Sequence, residues 1–257
     1  MAIRFGPAGL GPVKTAIEVL EEYGKKGFKA CEIAFTYSNY IKQNQTKEIA
    51  EKAKELDIEL TIHGSYFINL NAKEKEKIEA SKKRIVDACE IGELLGAKCV
   101  VFHPGYYGAS KEEAYENIKR SILAIQGTLK KNRWKIQIAP ETMGKANVFG
   151  SVEEVSQLVR DTGCSFCIDF AHVLARDKEV KYKKIEKLFP YKDWHVHFSG
   201  IVYGDKGEKH HKTTTKEEWT TLLRNLPKDK NIRIANESPT MIDDSVEGLK
   251  ICKSLRL

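Results

Sequence analysis

Six ionisable residues stand where apolar, strand-like runs of this chain end: His63, His103, Glu141, Asp169, His195 and Glu237. Successive members lie 40, 38, 28, 26 and 42 residues apart. A strand–helix unit takes roughly 30 residues, so the spacing predicts one polar residue per unit, all aimed at one face. His172 follows Asp169 by three positions, and Glu208 and His210 share one excursion between His195 and Glu237. Of the seven histidines, five fall in this set. His197 is read as a neighbour of the site, and His211 as solvent-facing or supporting. Imidazole and carboxylate are the donors that zinc and manganese bind. The pattern points to a metal cluster.

The polar residues sit in a regular alternation. Short apolar runs, many β-branched, fall at 3–6, 30–35, 58–62, 99–102, 135–139, 166–168, 194–198 and 232–235. Helical periodicity is predicted over 14–23, 46–56, 75–95, 111–129, 152–160, 182–188 and 216–223. Ser110 and Ser151 open helices as capping boxes, with Glu113 and Glu154 three residues on. Gly24, Gly96 and Gly163 read as helix-ending glycines. Near-continuous apolar strands predict a parallel sheet covered on both faces. Eight strand–helix units predict an α/β fold, a closed (β/α)8 TIM barrel, formed by residues 1–257 as one domain. A G-x-G-x-x-G turn after the first strand, which a dinucleotide-binding fold would carry, is missing. In such a barrel the active site lies at the carboxyl ends of the strands, where the acids and histidines fall.

Composition narrows the setting. No apolar run approaches the roughly 20 residues that cross a bilayer, and Met1-Ala-Ile-Arg-Phe-Gly6 reads as a strand rather than a leader. A cytoplasmic protein without a membrane partner is expected. The net charge is +7, but lysines alternate with glutamates, as over 73–83, in the manner of solvated helix faces. Six cysteines in this setting point to thiols, and Cys164-Ser-Phe-Cys167 reads as core rather than half of a zinc ribbon.

Each candidate has a plainer explanation when taken alone. A histidine at a strand end can be a hydrogen-bonded structural residue, Glu141 and Glu237 can be loop acids, and Asp169 can cap the next helix. Six strands doing this together is another matter. A buried cluster of carboxylates repels itself and raises its own pKa values, and bound divalent cations remove that penalty.

Certain stretches carry a further resemblance. They are His63-Gly-Ser-Tyr-Phe-Ile-Asn-Leu70, Phe102-His103-Pro-Gly105, Pro140-Glu141-Thr142, Ile168-Asp169-Phe-Ala-His172, Trp194-His195-Val-His197, Glu208-Lys209-His210 and Asn236-Glu237-Ser-Pro239. In order and spacing they resemble the endonuclease IV family, trinuclear-zinc apurinic/apyrimidinic endonucleases of the xylose-isomerase-like barrels. The resemblance implies three divalent ions, zinc foremost, with manganese accepted by the same donors. His63 and His103 would hold one, and Glu141 would bridge it to a second completed by Asp169, His195 and Glu237. His172, Glu208 and His210 would hold the third, with Glu208 standing where the family has aspartate. Tyr66 and Phe67 match positions at which the family inserts an aromatic and an apolar side chain at an abasic site. Three departures touch the handling of DNA: no early arginine in 36–40, a shorter loop over 143–150, and His197-Phe198 in place of a polar pair.

The activity implied is hydrolysis of the phosphodiester bond 5′ to abasic sites in double-stranded DNA, in base excision repair, by a monomer. Glu141 and Glu237 are its catalytic carboxylates, and Lys209 with Lys212 would meet backbone phosphates. The alternative is a single-metal sugar isomerase or epimerase using Glu141, Asp169, His195 and Glu237. That alternative leaves His63, His103, His172, Glu208 and His210 without a metal role. A non-catalytic DNA- or metal-binding relative is a third reading.

Overall fold

The structure, a computed structural model, describes residues 2–256. The first half of the barrel alternates β1 (Ala2–Pro7), α1 (Ala16–Lys26), β2 (Ala30–Ala34), α2 (Thr46–Glu55), β3 (Glu59–His63), α3 (Lys75–Leu95), β4 (Cys99–Phe102) and α4 (Lys111–Lys131). It continues with β5 (Gln137–Pro140), α5 (Val152–Thr162), β6 (Cys167–Asp169), α6 (Phe170–Asp177), α7 (Tyr182–Leu188) and β7 (Asp193–Phe198). A hairpin of β8 (Gly200–Gly204) and β9 (Gly207–Lys212) interrupts the repeat before α8 (Lys216–Asn225), β10 (Asn231–Asn236) and α9 (Met241–Ser254).

Two parallel four-stranded sheets, ordered β1-β10-β7-β6 and β2-β3-β4-β5, make up the wall. A parallel bridge between Glu141 and Cys167 joins β5 to β6. On the other side the Lys29 amide donates to the Phe5 carbonyl at 2.9 Å, linking β1 to β2. The result is the (β/α)8 TIM barrel expected from the alternation.

Strand periodicity of two decides which side chains face the site. On β3, β4, β5, β6, β7 and β10 the even-numbered residues face outward. Leu60, Ile62, Val100, Phe102, Ile138, Ile168, Trp194, Val196, Ile232 and Ile234 are all buried in the layer between strands and helices. Each such side chain contributes roughly 1.5–3 kcal/mol by leaving water. Odd-numbered residues face the barrel axis, where Cys99, Val101, Ala139 and Cys167 form a small apolar plug. The polar residues lie above and beside that plug. All six cysteines are buried and none is in a disulfide, as the core reading of Cys164 and Cys167 has it.

The Ser110 and Ser151 hydroxyls accept from the Glu113 and Glu154 amides, and Ser151 completes its box. Gly96 and Gly163 end their helices in the left-handed region. Helix α1 instead runs through Gly24 and ends at Gly27, φ 84°. Helix α6, which follows β6 with no linker, helix α9 and the β8–β9 hairpin lie outside the runs that the sequence predicts. No helix among the described residues is long and apolar enough to cross a membrane.

The closest backbone approach in the wall is at Gly6, where a Cβ would stand 1.6 Å from the Ala30 carbonyl oxygen. A backbone atom cannot swing aside as a side chain can. Gly6→Ala should therefore cost about 3 kcal/mol, read as a lowered midpoint in urea unfolding. An unchanged midpoint would contradict this packing of β1 on β2.

Candidate metal centre

Glu141 is the hub. It follows Pro140 at the end of β5, is buried, and presents its two oxygens to different partners. Oε2 lies 3.2 Å from His63 Nε2 and 3.2 Å from His103 Nε2. Oε1 lies 3.1 Å from His172 Nδ1 and 3.4 Å from His197 Nδ1. The His63 ring is steered by a 2.8 Å contact of its Nδ1 with the Gly64 carbonyl, so that Nε2 faces inward. The His63 and His103 rings meet edge to face at 5.0 Å.

Three groups of donors result, each within ion-binding reach: His63, His103 and Glu141; Glu141, Asp169, His197 and Glu237; and Asp169, His172 and His211. Asp169 does two things at once. Its Oδ1 accepts from the His172 amide at 2.7 Å and caps α6, while Oδ2 has no hydrogen-bond partner. The plain capping reading and the ligand reading therefore each take one oxygen. Glu208 borders the third group, with Oε2 3.5 Å from His172 Nε2 and Oε1 3.9 Å from His211 Nε2. The loop after Glu141 holds it there: the Glu208 amide donates to the Gly144 carbonyl at 3.0 Å. A Cβ on Gly144 would crowd Glu208 and His172 at 2.8 and 3.0 Å, so the shortened loop needs glycine to seat against the site.

Two expected histidines are not brought to these groups. His195 lies near the start of β7, which runs to Phe198 as the 194–198 run predicts, so His195 is not the residue at the strand end. The register sets His197 level with Asp169 and His195 level with Cys167, one inward step deeper. His195 Nε2 lies 2.9 Å from Glu32 Oε2, and its only donor group is a buried trio with Cys167 and His197. Burial lowers its pKa to about 4. His210 is exposed on the hairpin, paired with Val202. A register shift between Val202 and Tyr203 leaves Lys209 as an extra residue on β9. Such a bulge breaks the two-residue alternation, so Glu208 and His211, three apart, share the inner side. His211 Nδ1 meets the Ser199 hydroxyl at 2.6 Å, which directs its ring.

The length of the 194–198 alternation, ending at Ser199-Gly200, was the signal for His197. The bulge that selects His211 has no sequence signature. Glu32, also missed, was visible as a lone acid inside an apolar strand, an environment acids rarely enter unpaired.

The remaining expected residues lie around the mouth. The Tyr66 ring stacks on His103 at 5.5 Å, and Tyr66 and Phe67 are 58% and 59% exposed. Lys209 is exposed at the bulge, while Lys212 is tied to Glu218 at 2.9 Å. A cavity of about 500 Å³ opens above the donors, lined also by Met143, Lys145 and Tyr106.

The donor chemistry fits divalent cations. Glu141 Oε1, Asp169 Oδ2 and His197 Nδ1 converge, are buried, and have no hydrogen-bond partner. Buried polar atoms left this way are costly and uncommon, and carboxylate oxygen with imidazole nitrogen is a zinc or manganese donor set. Without a cation, protons do the compensating. Burial opposes a charged His63, yet the Glu141 carboxylate outweighs it and raises the pKa to about 9. Burial likewise opposes charge on His172 and His197, yet Asp169, Glu141 and Glu208 push His172 well up, and Cys167 with Glu237, Glu32 and Glu141 push His197 well up. Glu141 is pressed upward by burial, but the surrounding imidazoles hold it well below the carboxylate range.

Residues 18–251 match the model of the xylose isomerase-like TIM barrel family, and the chain belongs to that family. An uncharacterized protein of Methanocaldococcus jannaschii is 34% identical, covering 98% of this chain and 97% of its own. An endonuclease 4 homolog of Dictyostelium discoideum is 25% identical over 87% of this chain, which spans 46% of that relative. A solved D-tagatose 3-epimerase-like protein superposes with a TM-score of 0.71 at 21% identity, over 99% of this chain and 96% of its own. The chain is thus similar in sequence to an endonuclease 4 homolog and shares its fold with an epimerase-like protein, and it carries clusters able to hold metal ions.

Metal ligation requires the neutral imidazole, so zinc uptake must expel the protons held on His63, His172 and His197. Zinc affinity should therefore rise with pH toward about 9, the value for His63. Calorimetry in two buffers of different ionisation enthalpy should show proton release on binding. Equal affinity at both ends of that range, with no proton release, would contradict this electrostatic arrangement.

Proposed function

We propose that this chain is a metal-dependent phosphodiesterase that cuts DNA on the 5′ side of abasic sites. The observation that carries the reading is the sharing of acids between donor groups. Glu141 belongs to two of them and Asp169 to two, so three groups are contiguous rather than scattered. A barrel that needs one cation has no use for His63 and His103 on one flank and His172, Glu208 and His211 on the other. The relationship to the Dictyostelium endonuclease 4 homolog supports the same reading.

The site then holds up to three divalent ions, zinc or manganese, with His197 and His211 in the places first given to His195 and His210. When bound, such ions supply a water acidic enough to ionise near neutral pH and positive charge against a phosphate. Glu141 keeps the first two groups one carboxylate apart. Glu237, 19% exposed at the mouth, reaches His197 Nδ1 at 3.3 Å and closes the second group on the solvent side. Hydrolysis joins a water oxygen to phosphorus and breaks the P–O3′ bond. One proton goes to the departing oxygen, leaving a 3′ hydroxyl and a 5′ phosphate.

Tyr66 and Phe67 stand beside the cavity as exposed rings, suited to wedge into the stack where a base is missing. An abasic nucleotide is cheap to extrude, and the cavity has room for its sugar and phosphate. Lys145 lines the cavity, and Lys209 lies exposed on the hairpin, each able to meet backbone phosphate.

A second reading rests on one observation: Glu141, Asp169, His197 and Glu237 form a four-donor group by themselves. Two glutamates, an aspartate and a histidine suffice for a single-metal sugar epimerase, and the epimerase-like barrel shares the fold. A duplex with one abasic site separates the two. Nicking 5′ to the site, lost with chelator and restored by zinc, is expected. Glu141→Gln should lower it at least about 100-fold with an unchanged circular dichroism spectrum. No nicking by the zinc-loaded chain, together with interconversion of ketoses, would decide for the epimerase.

A further inference from the structure

Glu32 belongs to none of the donor groups, yet it is fully buried inside β2, beneath them. Among the described residues its ion-pair partners are histidines, His195 and His197. Its Oε2 accepts the Thr61 hydroxyl at 2.9 Å and meets His195 Nε2 at 2.9 Å. Its Oε1 lies 2.9 Å from His197 Nε2. That last pair is close but not aligned as a hydrogen bond, and neither atom has another hydrogen-bond partner. The far nitrogen of the same ring, His197 Nδ1, points to Glu237 at 3.3 Å and Glu141 at 3.4 Å.

We infer that Glu32 is a positioning residue: it keeps the His197 proton on Nε2 and so presents Nδ1, with its lone pair, to the Glu141–Asp169–Glu237 group. The inference rests on the reading of that group as a metal centre. An imidazole has two nitrogens, and a ligand ring performs best when its distal N–H is held by a carboxylate, which fixes the tautomer and strengthens the donor. Glu32 is the carboxylate in reach of Nε2. Thr61 and His195 meet only Oε2, which leaves Oε1 for His197. His195 thereby acquires a place as well: at one inward step below His197 it helps to hold Glu32 and does not face the donor groups.

Two measurements test this. Long-range ¹H–¹⁵N correlation spectra of the zinc-loaded chain should show His197 protonated on Nε2 and metal-shifted at Nδ1. Competition with a chromophoric chelator should show Glu32→Gln binding one zinc equivalent about 10- to 100-fold more weakly than wild type, with the zinc-free fold intact by circular dichroism. If Glu32→Gln does not fold, the spectra of the wild-type chain decide. A His197 proton on Nδ1, or equal affinity of wild type and Glu32→Gln, overturns the role of Glu32 alone. Failure of the wild-type chain to bind zinc overturns the role together with the metal reading beneath it.

Discussion

The carboxylate of Glu141, buried and facing histidines on both oxygens, organises the carboxyl-terminal mouth. A lone carboxylate at that depth would be neutralised by protonation, since burial penalises its charge severely. Here the imidazoles of His63, His103, His172 and His197 surround it. Their placement depends on the ends of three strands, β3, β4 and β7, and on the start of α6. The site cannot form unless the barrel closes with the right register, and the β5–β6 closure is made by Glu141 itself, bridged to Cys167. Wall and site therefore share a residue. The same crowding raises the pKa values of His63, His172 and His197 and leaves oxygens unpaired, and divalent cations would relieve both conditions.

The fold was largely legible because the outward faces of the strands carry the alternation that packs the helices, and those faces are continuous in sequence. The site was legible to the level of which strands contribute, and less so to the level of which residue. His195 and His197 both point inward, so periodicity could not rank them. Only the register of β7 on β6 puts His197 beside Asp169. Alternation along β9 favoured His210 with Glu208, and the extra residue at Lys209 turned His211 inward instead. A bulge is a tertiary adjustment with no local residue requirement here. Helix α9 had its apolar spacing at Ile242, Val246 and Leu249 in plain view, and α6 was masked by running on directly from β6.

Barrels of this shape serve unrelated chemistries, so the fold by itself does not choose between the two readings. The proposed reading rests on what surrounds the group of Glu141, Asp169, His197 and Glu237. The hairpin β8–β9 carries Glu208 and His211 over the mouth and is clamped to the 143–150 loop through Gly144 and Lys145. On the opposite flank His63 and His103 add a histidine pair against the exposed ring of Tyr66. These additions extend the donor set in two directions and leave aromatic side chains open to solvent. A polyanionic, stacked substrate uses both features, whereas a free sugar uses neither.

Anomalous diffraction at the zinc edge from crystals of the zinc-loaded chain tests the central claim most directly. The account predicts three ions around Glu141 and Asp169, with His197 and His211 nitrogens within about 2.1 Å of zinc and His195 and His210 in no ion's shell. A single ion held by Glu141, Asp169, His197 and Glu237, or ions ligated by His195 or His210, would contradict it.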